Sequence, residues 1–214
     1  MNTDLLEKER LSHNRPHLRV EDLQTKLIGP YSLSLSPGEC VVLTGTSGSG
    51  KSLLLRAICD LDPSTGAIYL DDRARETFSP SEWRRAVGLL SAEPAWWTEH
   101  IREHFLYGFS DVIEALGFGP EVMDWEVTRA SSGERQRLAL ARLLQLEPSI
   151  LLLDEPTANL DGANRLRVES VVLAYLKQKR AAALWVTHDP DQAKRIGDRE
   201  LVMHGGCLED ITCT

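Results

Sequence analysis

The sequence contains no run of about 18 consecutive apolar residues, the length a membrane-spanning helix requires, so no segment is expected to cross a bilayer. Its four cysteines, Cys40, Cys59, Cys207 and Cys213, form no C-x-x-C pair and have no histidine at zinc-ligand spacing. That excludes a disulfide scaffold and a structural zinc site, and predicts the reduced thiols of a cytosolic protein. Positive charge is in deficit: 24 Lys and Arg stand against 32 Asp and Glu, a formal net charge of −8. A protein that holds nucleic acid chiefly by its phosphates needs the opposite sign, so generic nucleic-acid binding is disfavoured. Residues 1–17 lack the apolar stretch of a secretory signal and are expected to be a polar leader. Internal repeats and low-complexity tracts are absent.

What remains is an ordinary globular composition, 42% hydrophobic and 26% charged over 214 residues. A chain of this size buries roughly 70% of its unfolded surface, so a single domain over residues 18–214 needs no crosslink or metal to hold it. Short strands are expected at Leu18–Glu21 and Tyr31–Leu35, with turns at Gly29-Pro30 and Pro37-Gly38. Cys40–Thr44, Val87–Leu90, Ile150–Leu153 and Ala183–Thr187 are compact apolar runs that read as buried strands. Between them, Leu53–Ile58, Gly133–Leu146 and Asn164–Lys179 carry apolar residues at helical spacing. Buried strands alternating with amphipathic helices predict an α/β fold with a mostly parallel central sheet covered on both faces. From about residue 94 the pattern changes to short helical pieces, Ile101–Tyr107 and Asp111–Leu116, broken by Gly117, Gly119 and Pro120. A small α-helical subdomain is therefore expected over about 94–146.

Gly45-Thr46-Ser47-Gly48-Ser49-Gly50-Lys51-Ser52 completes the pattern G-x-x-x-x-G-K-[ST] between a buried strand and a helix. Glycines let the backbone close around an anion so that successive amides face phosphate oxygens, and the helix behind adds its positive end. Lys51 is then placed to reach the β- and γ-phosphates, and the Ser52 hydroxyl to ligate magnesium. Asp154 and Glu155 follow the strand Ile150–Leu153, at the edge where open α/β sheets present ligands. Asp154 suits magnesium coordination opposite Ser52, and Glu155 suits polarisation of the water that attacks the γ-phosphate. His188, after the strand Ala183–Thr187, is a third polar group expected at this edge, to contact the γ-phosphate or orient the water.

The order of segments resembles the ATP-binding cassette (ABC) ATPase family over most of the chain, from about Leu18 to Glu209. After the phosphate loop come Ser131-Ser132-Gly133-Glu134-Arg135-Gln136-Arg137, Leu151-Leu152-Leu153-Asp154-Glu155-Pro156-Thr157, Ala158-Asn159-Leu160-Asp161 and Thr187-His188-Asp189. These look like the family's signature, Walker B, D-loop and switch-histidine segments. The resemblance implies a P-loop NTPase with an N-terminal antiparallel β portion, acting with ATP and Mg2+ as the ATPase subunit of a transporter. It further implies a head-to-tail homodimer in which each ATP lies between the phosphate loop of one copy and Ser131, Ser132 and Gly133 of the other. An integral-membrane permease and a location on the cytoplasmic face of the inner membrane follow from the same likeness, and the lack of a transmembrane helix implies that the permease is a separate chain. A soluble relative acting on nucleic acid or ribosomes is the alternative, and the absence of a second cassette or a long coiled-coil insertion argues against it. A P-loop small-molecule kinase is opposed by the signature and D-loop segments.

Three departures stand out. The usual L-S-G-G signature is here Ala130-Ser131-Ser132-Gly133. The glutamine expected after Val87–Leu90 aligns with Ala92, leaving either the adjacent Glu93 or water to complete the magnesium shell. The ring that normally stacks on adenine has no clear counterpart, Tyr31 being the nearest. In the segment Glu93-Pro94-Ala95-Trp96-Trp97, two adjacent tryptophans cannot both face inward on one helix, so one is expected in the core and one exposed as a partner anchor.

Overall fold

The computed structural model describes residues 17–211. Two sheets organise it. A four-stranded antiparallel sheet, ordered β2-β1-β4-β5, contains β1 (Leu18–Gln24), β2 (Tyr31–Leu35), β4 (Thr65–Leu70) and β5 (Arg73–Ala74). The second sheet, ordered β10-β9-β3-β8-β7-β6, has six strands. In it β3 (Cys40–Gly45), β6 (Val87–Leu90), β7 (Ile150–Asp154), β8 (Ala182–Val186) and β9 (Arg199–His204) are parallel, and β10 (Cys207–Ile211) closes one edge antiparallel to β9.

The apolar runs of β3, β7 and β8 are continuous because both faces of the larger sheet are covered, and the two-residue period of a strand divides each run between two cores. Leu151 and Leu153 of β7, Val42 of β3 and Trp185 of β8 point into one. That core is completed by α4 (Ser132–Leu144), α5 (Gly162–Lys179), α6 (Pro190–Ile196) and residues of the segment between β6 and α4. Ile150, Leu152, Val41, Leu43 and Leu184 point the other way, against the antiparallel sheet and α1 (Lys51–Ile58). Trp83 of α2 (Pro80–Ala86) is buried in this second core, where its indole N–H donates to the carbonyl of Ile58 at 2.9 Å.

Local signals set the helix starts. Ser79 and Ser131 each form a reciprocal capping box with the glutamate three residues on, Glu82 and Glu134. Asp161 caps α5 through the amide of Asn164, and Asp189 caps α6 through the amides of Asp191 and Gln192. α1 differs: it follows Gly50, a left-handed glycine that supplies no side-chain cap.

The segment between β6 and α4 is built of 3-10 turns at Ile101–His104, Pro120–Asp124 and Val127–Arg129, with one short helix, α3 (Asp111–Ala115). Ile101–Tyr107, read from sequence as a helical piece, is a single such turn. The tryptophan pair lies on an irregular loop rather than on a helix, yet the two rings divide as expected: Trp96 packs against the core and Trp97 is 68% exposed.

Candidate functional site

The sheet order places β3, β8 and β7 side by side, and their C-terminal ends deliver three segments to one edge. Gly45 opens the phosphate loop from β3, Asp154 ends β7, and Thr187-His188 follow β8. The loop is confined from behind. A Cβ on Gly45, whose φ is +143°, would stand 2.3 Å from the carbonyl oxygen of Met203, and one on Gly50 would stand 2.5 Å from the Ile28 side chain. Only glycine permits both the dihedrals and the approach. Thr46, Ser47, Gly48 and Ser49 form the crest, tied by a hydrogen bond from the Ser49 amide to the Thr46 carbonyl at 3.2 Å. The Ser49 hydroxyl is buried without a hydrogen-bond partner.

Lys51 is buried, and its ammonium donates to the carbonyls of Gly45 and Thr46, each at 3.0 Å. Burial lowers its pKa, opposed by the negative charges of Glu155 and Asp154. Asp154 is also buried; burial raises its pKa, while the nearby Ser52 hydroxyl and the Lys51 charge act in the opposite sense. The Ser52 hydroxyl and the Asp154 carboxylate thus lie close together. Their oxygens suit a hard cation that keeps several waters and takes its other ligands from phosphate. The orphaned Ser49 hydroxyl and the uncapped first turn of α1 suit the anion beside it. Glu93 is exposed, in the loop that follows β6, and no hydrogen bond links it to this pair among the described residues.

Glu155 is a non-glycine residue at φ +47°, and its amide bonds back to the Val186 carbonyl at 3.2 Å. Its Oε1 lies 3.0 Å from Nε2 of His188, joining two residues 33 positions apart. Both side chains remain partly open to solvent, at 34% and 46%. Ser131 and Ser132 are exposed at the head of α4, and Gly133 packs so closely on the loop after β7 that a Cβ would sit 3.0 Å from the Asn159 carbonyl oxygen. Among the described residues no hydrogen bond links this head to the phosphate loop.

A sequence profile described as ABC transporter matches residues 28–158. The chain belongs to the ABC transporter family. Within that family it is 37% identical, over 85% of its length and 75% of the relative's, to the aliphatic sulfonates import ATP-binding protein SsuB of Granulibacter bethesdensis. It is 28% identical, over 94% of its length and 97% of the relative's, to the probable iron export ATP-binding protein FetA of Escherichia coli K12. An ATP-binding cassette solved as a dimer in a post-hydrolysis state, with ADP and phosphate bound, superposes with a TM-score of 0.77 over 92% of this chain and all of that one, at 21% identity, which supports the fold. As an ABC transporter ATP-binding protein, the chain binds and hydrolyses ATP.

Two further openings lie among the described residues of this ABC protein. A cleft of about 350 Å³ beside the phosphate loop is lined by Leu27, Ile28, Tyr31 and the Gly205-Gly206 turn. Tyr31 is 3% exposed there, held in β2, while Leu27 presents most of its surface. A groove of about 750 Å³ runs between β6, α4 and the loop after β6, with Leu61, Leu90, Trp97, Leu106, Arg142 and Leu146 among its walls. At its rim the Arg142 guanidinium lies 4.6 Å from the ring centres of both Trp96 and Trp97 and donates to the Ala95 carbonyl at 2.9 Å. His104 stands edge-on to both indoles, its ring centre within 4.7 Å of each, and burial lowers its pKa.

Sequence reasoning missed the buried polar groups behind the Glu155–His188 pair: Thr157, Glu169 and Gln192. The Asp189-Pro190 start of α6 is the one local signal for Gln192.

Proposed function

We propose that this chain is the ATP-driven subunit of a membrane transporter, working as two copies that close on ATP beneath a separate permease. The observation that carries this reading is the convergence of Lys51, Ser52, Asp154, Glu155 and His188 on the ends of three adjacent strands, with Glu155 and His188 3.0 Å apart. In it, the amides of Gly45–Ser52 and the Lys51 ammonium grip the triphosphate, and Ser52 and Asp154 hold magnesium. Bound there, magnesium would supply positive charge against that of the phosphates. Glu155 accepts a proton from the attacking water, and His188 orients Glu155 and faces the γ-phosphate. The exposed Ser131 and Ser132, with the half-buried Gly133, at the positive end of α4 serve the nucleotide held by the partner copy, so the site is complete only across two chains. The dimeric state of the structurally similar cassette supports that arrangement.

The permease would seat in the groove beside Trp97, a large exposed ring of the type enriched at binding hot spots. No helix among the described residues is long and apolar enough to cross a membrane, which fits a subunit held to the cytoplasmic face by a partner. Cargo and direction remain with that partner: the two relatives above are named for sulfonate import and iron export.

Glu155→Gln tests the reading. It preserves the shape of the His188 contact and removes the base, so turnover should fall by ~10²- to 10⁴-fold with nucleotide still bound and dimers accumulating. Unchanged hydrolysis removes Glu155 from this role. Affinity capture from detergent-solubilised membranes should recover a multi-span protein; recovery of ribosomes or nucleic acid instead would favour the soluble alternative.

A further inference from the structure

Directly behind the Glu155–His188 pair lies a cluster of four polar side chains from four segments, each at most 5% exposed: Thr157, Glu169, Thr187 and Gln192. Gln192 of α6 is its hub. Its Oε1 accepts from the Thr187 hydroxyl at 2.7 Å and lies 3.2 Å from that of Thr157. Its Nε2 donates to Thr157 Oγ1 at 2.9 Å and to Glu169 Oε1 at 2.7 Å. The carboxylate of Glu169, on α5, can only accept, so it dictates which end of the carboxamide faces it and turns the oxygen toward Thr187. Glu169 is itself fixed by two bonds from Arg195, at 2.7 and 2.8 Å.

The position of the two threonines in the chain gives this cluster its meaning. Thr187 immediately precedes His188, and its hydroxyl also accepts the Asp189 amide at 3.1 Å. Asp189 is held in turn by Arg165 at 2.7 Å, so the residues on both sides of His188 are pinned. Thr157 lies two residues beyond Glu155, whose left-handed backbone persists only if its surroundings enforce it. One carboxamide therefore ties the turn carrying Glu155 to the turn carrying His188, deep enough that water does not compete for the bonds.

We propose that Gln192 is a positioning residue for hydrolysis, setting the mutual placement of Glu155 and His188 by bridging Thr157 and Thr187 without itself touching nucleotide. The inference rests on the reading of Glu155 and His188 as the hydrolytic pair. A displacement of the order of 1 Å in such a pair is sufficient for a large rate loss.

The test measures single-site nucleotide affinity with a fluorescent ATP analogue, and kcat with saturating Mg-ATP, on the purified full chain. Gln192→Ala should lower kcat by ~10- to 100-fold while nucleotide Kd stays within about twofold. Thr187→Val, which removes the bridging hydroxyl together with its bond from the Asp189 amide, should lower kcat at least as much, and Thr187→Ser, which keeps both bonds, should restore the rate. The Gln192→Ala, Thr187→Val double variant should be no slower than the slower single one, because both cut the same bridge. A folded Gln192→Ala protein with kcat within about twofold of the parent, or a Kd that weakens in step with kcat, overturns the proposal. Should Gln192→Ala fail to fold, the Thr187 pair decides: equal rates for the valine and serine variants refute the bridge. Glu155→Gln run in parallel separates the two levels, since full hydrolysis in that variant removes the pair itself, whereas its loss alongside an active Gln192→Ala removes only the role given to Gln192.

Discussion

Arg142 offers a sharp energetic test of how the groove beside the helical subdomain is built. Its guanidinium lies 4.6 Å from two indole centres and gives a hydrogen bond to the Ala95 carbonyl. Its other terminal nitrogen is 3.4 Å from Nδ1 of His104. Arginine can only donate, so that imidazole nitrogen accepts, and the proton resides on Nε2, 2.6 Å from the Thr98 hydroxyl. Each cation–π contact contributes ~0.5–1 kcal/mol and the charged hydrogen bond ~1.5 kcal/mol, so Arg142→Ala should cost ~3 kcal/mol of stability. At ~2–4 °C per kcal/mol for a domain of this size, Tm should fall by ~6–12 °C. Arg142→Lys keeps the charge but loses the planar fork that lies between the rings, and should forfeit about half of that. Scanning calorimetry on the nucleotide-free proteins measures both. A fall of less than ~2 °C for the alanine variant, or a lysine variant as stable as the parent, would refute the account of two indoles clamped by one guanidinium.

Gly45→Ala places a Cβ against the Met203 carbonyl oxygen at a φ that alanine avoids, so nucleotide affinity should drop at least ~10-fold by fluorescence titration; parental affinity would mean the loop tolerates a side chain there. Glu169 yields a pH prediction with a definite sign. Burial pushes its carboxyl up, but hydrogen bonds from Arg195 and Gln192 outweigh this and hold its pKa below the ordinary 4.5. The unfolded chain thus takes up the proton first, and the stabilisation from Glu169 is complete above that value and lost as pH falls through the depressed one. Glu169→Gln should therefore flatten the decline of Tm between neutral pH and the acid limb, and parallel curves for the two proteins would show that the carboxylate contributes nothing.

The features legible in the sequence are those whose physics is local. A buried strand, a glycine-rich loop and a helix follow one another within Cys40–Ile58, so the phosphate loop declares its own geometry before any tertiary contact is known. β7 and β8 are buried at every residue and stand out as apolar runs ending in polar groups. β10 gives no such signal, because at the sheet edge none of its five residues is buried. β4 begins with two exposed residues and owes its place to pairing with β1, a long-range event. α6 has only seven residues, too few for a periodic pattern, and with it went Gln192, whose role depends on partners 5, 23 and 35 positions away. Ile101–Tyr107 has helical spacing, but tertiary packing stops it after one turn.

The helix α4 begins at the capping box of Ser131, and its last turns contribute Arg142 and Leu143 to the wall of the groove. Between Ser131 and Arg142 it rises ~16 Å, and a hydrogen-bonded helix neither stretches nor bends appreciably over so short a span. It is a lever arm. A ~10° tilt pivoting at the groove end would sweep the serine end through ~3 Å, enough to make or break a hydrogen bond to whatever stands opposite. A push on the groove end would therefore be felt at Ser131, even though no atom of one need touch the other.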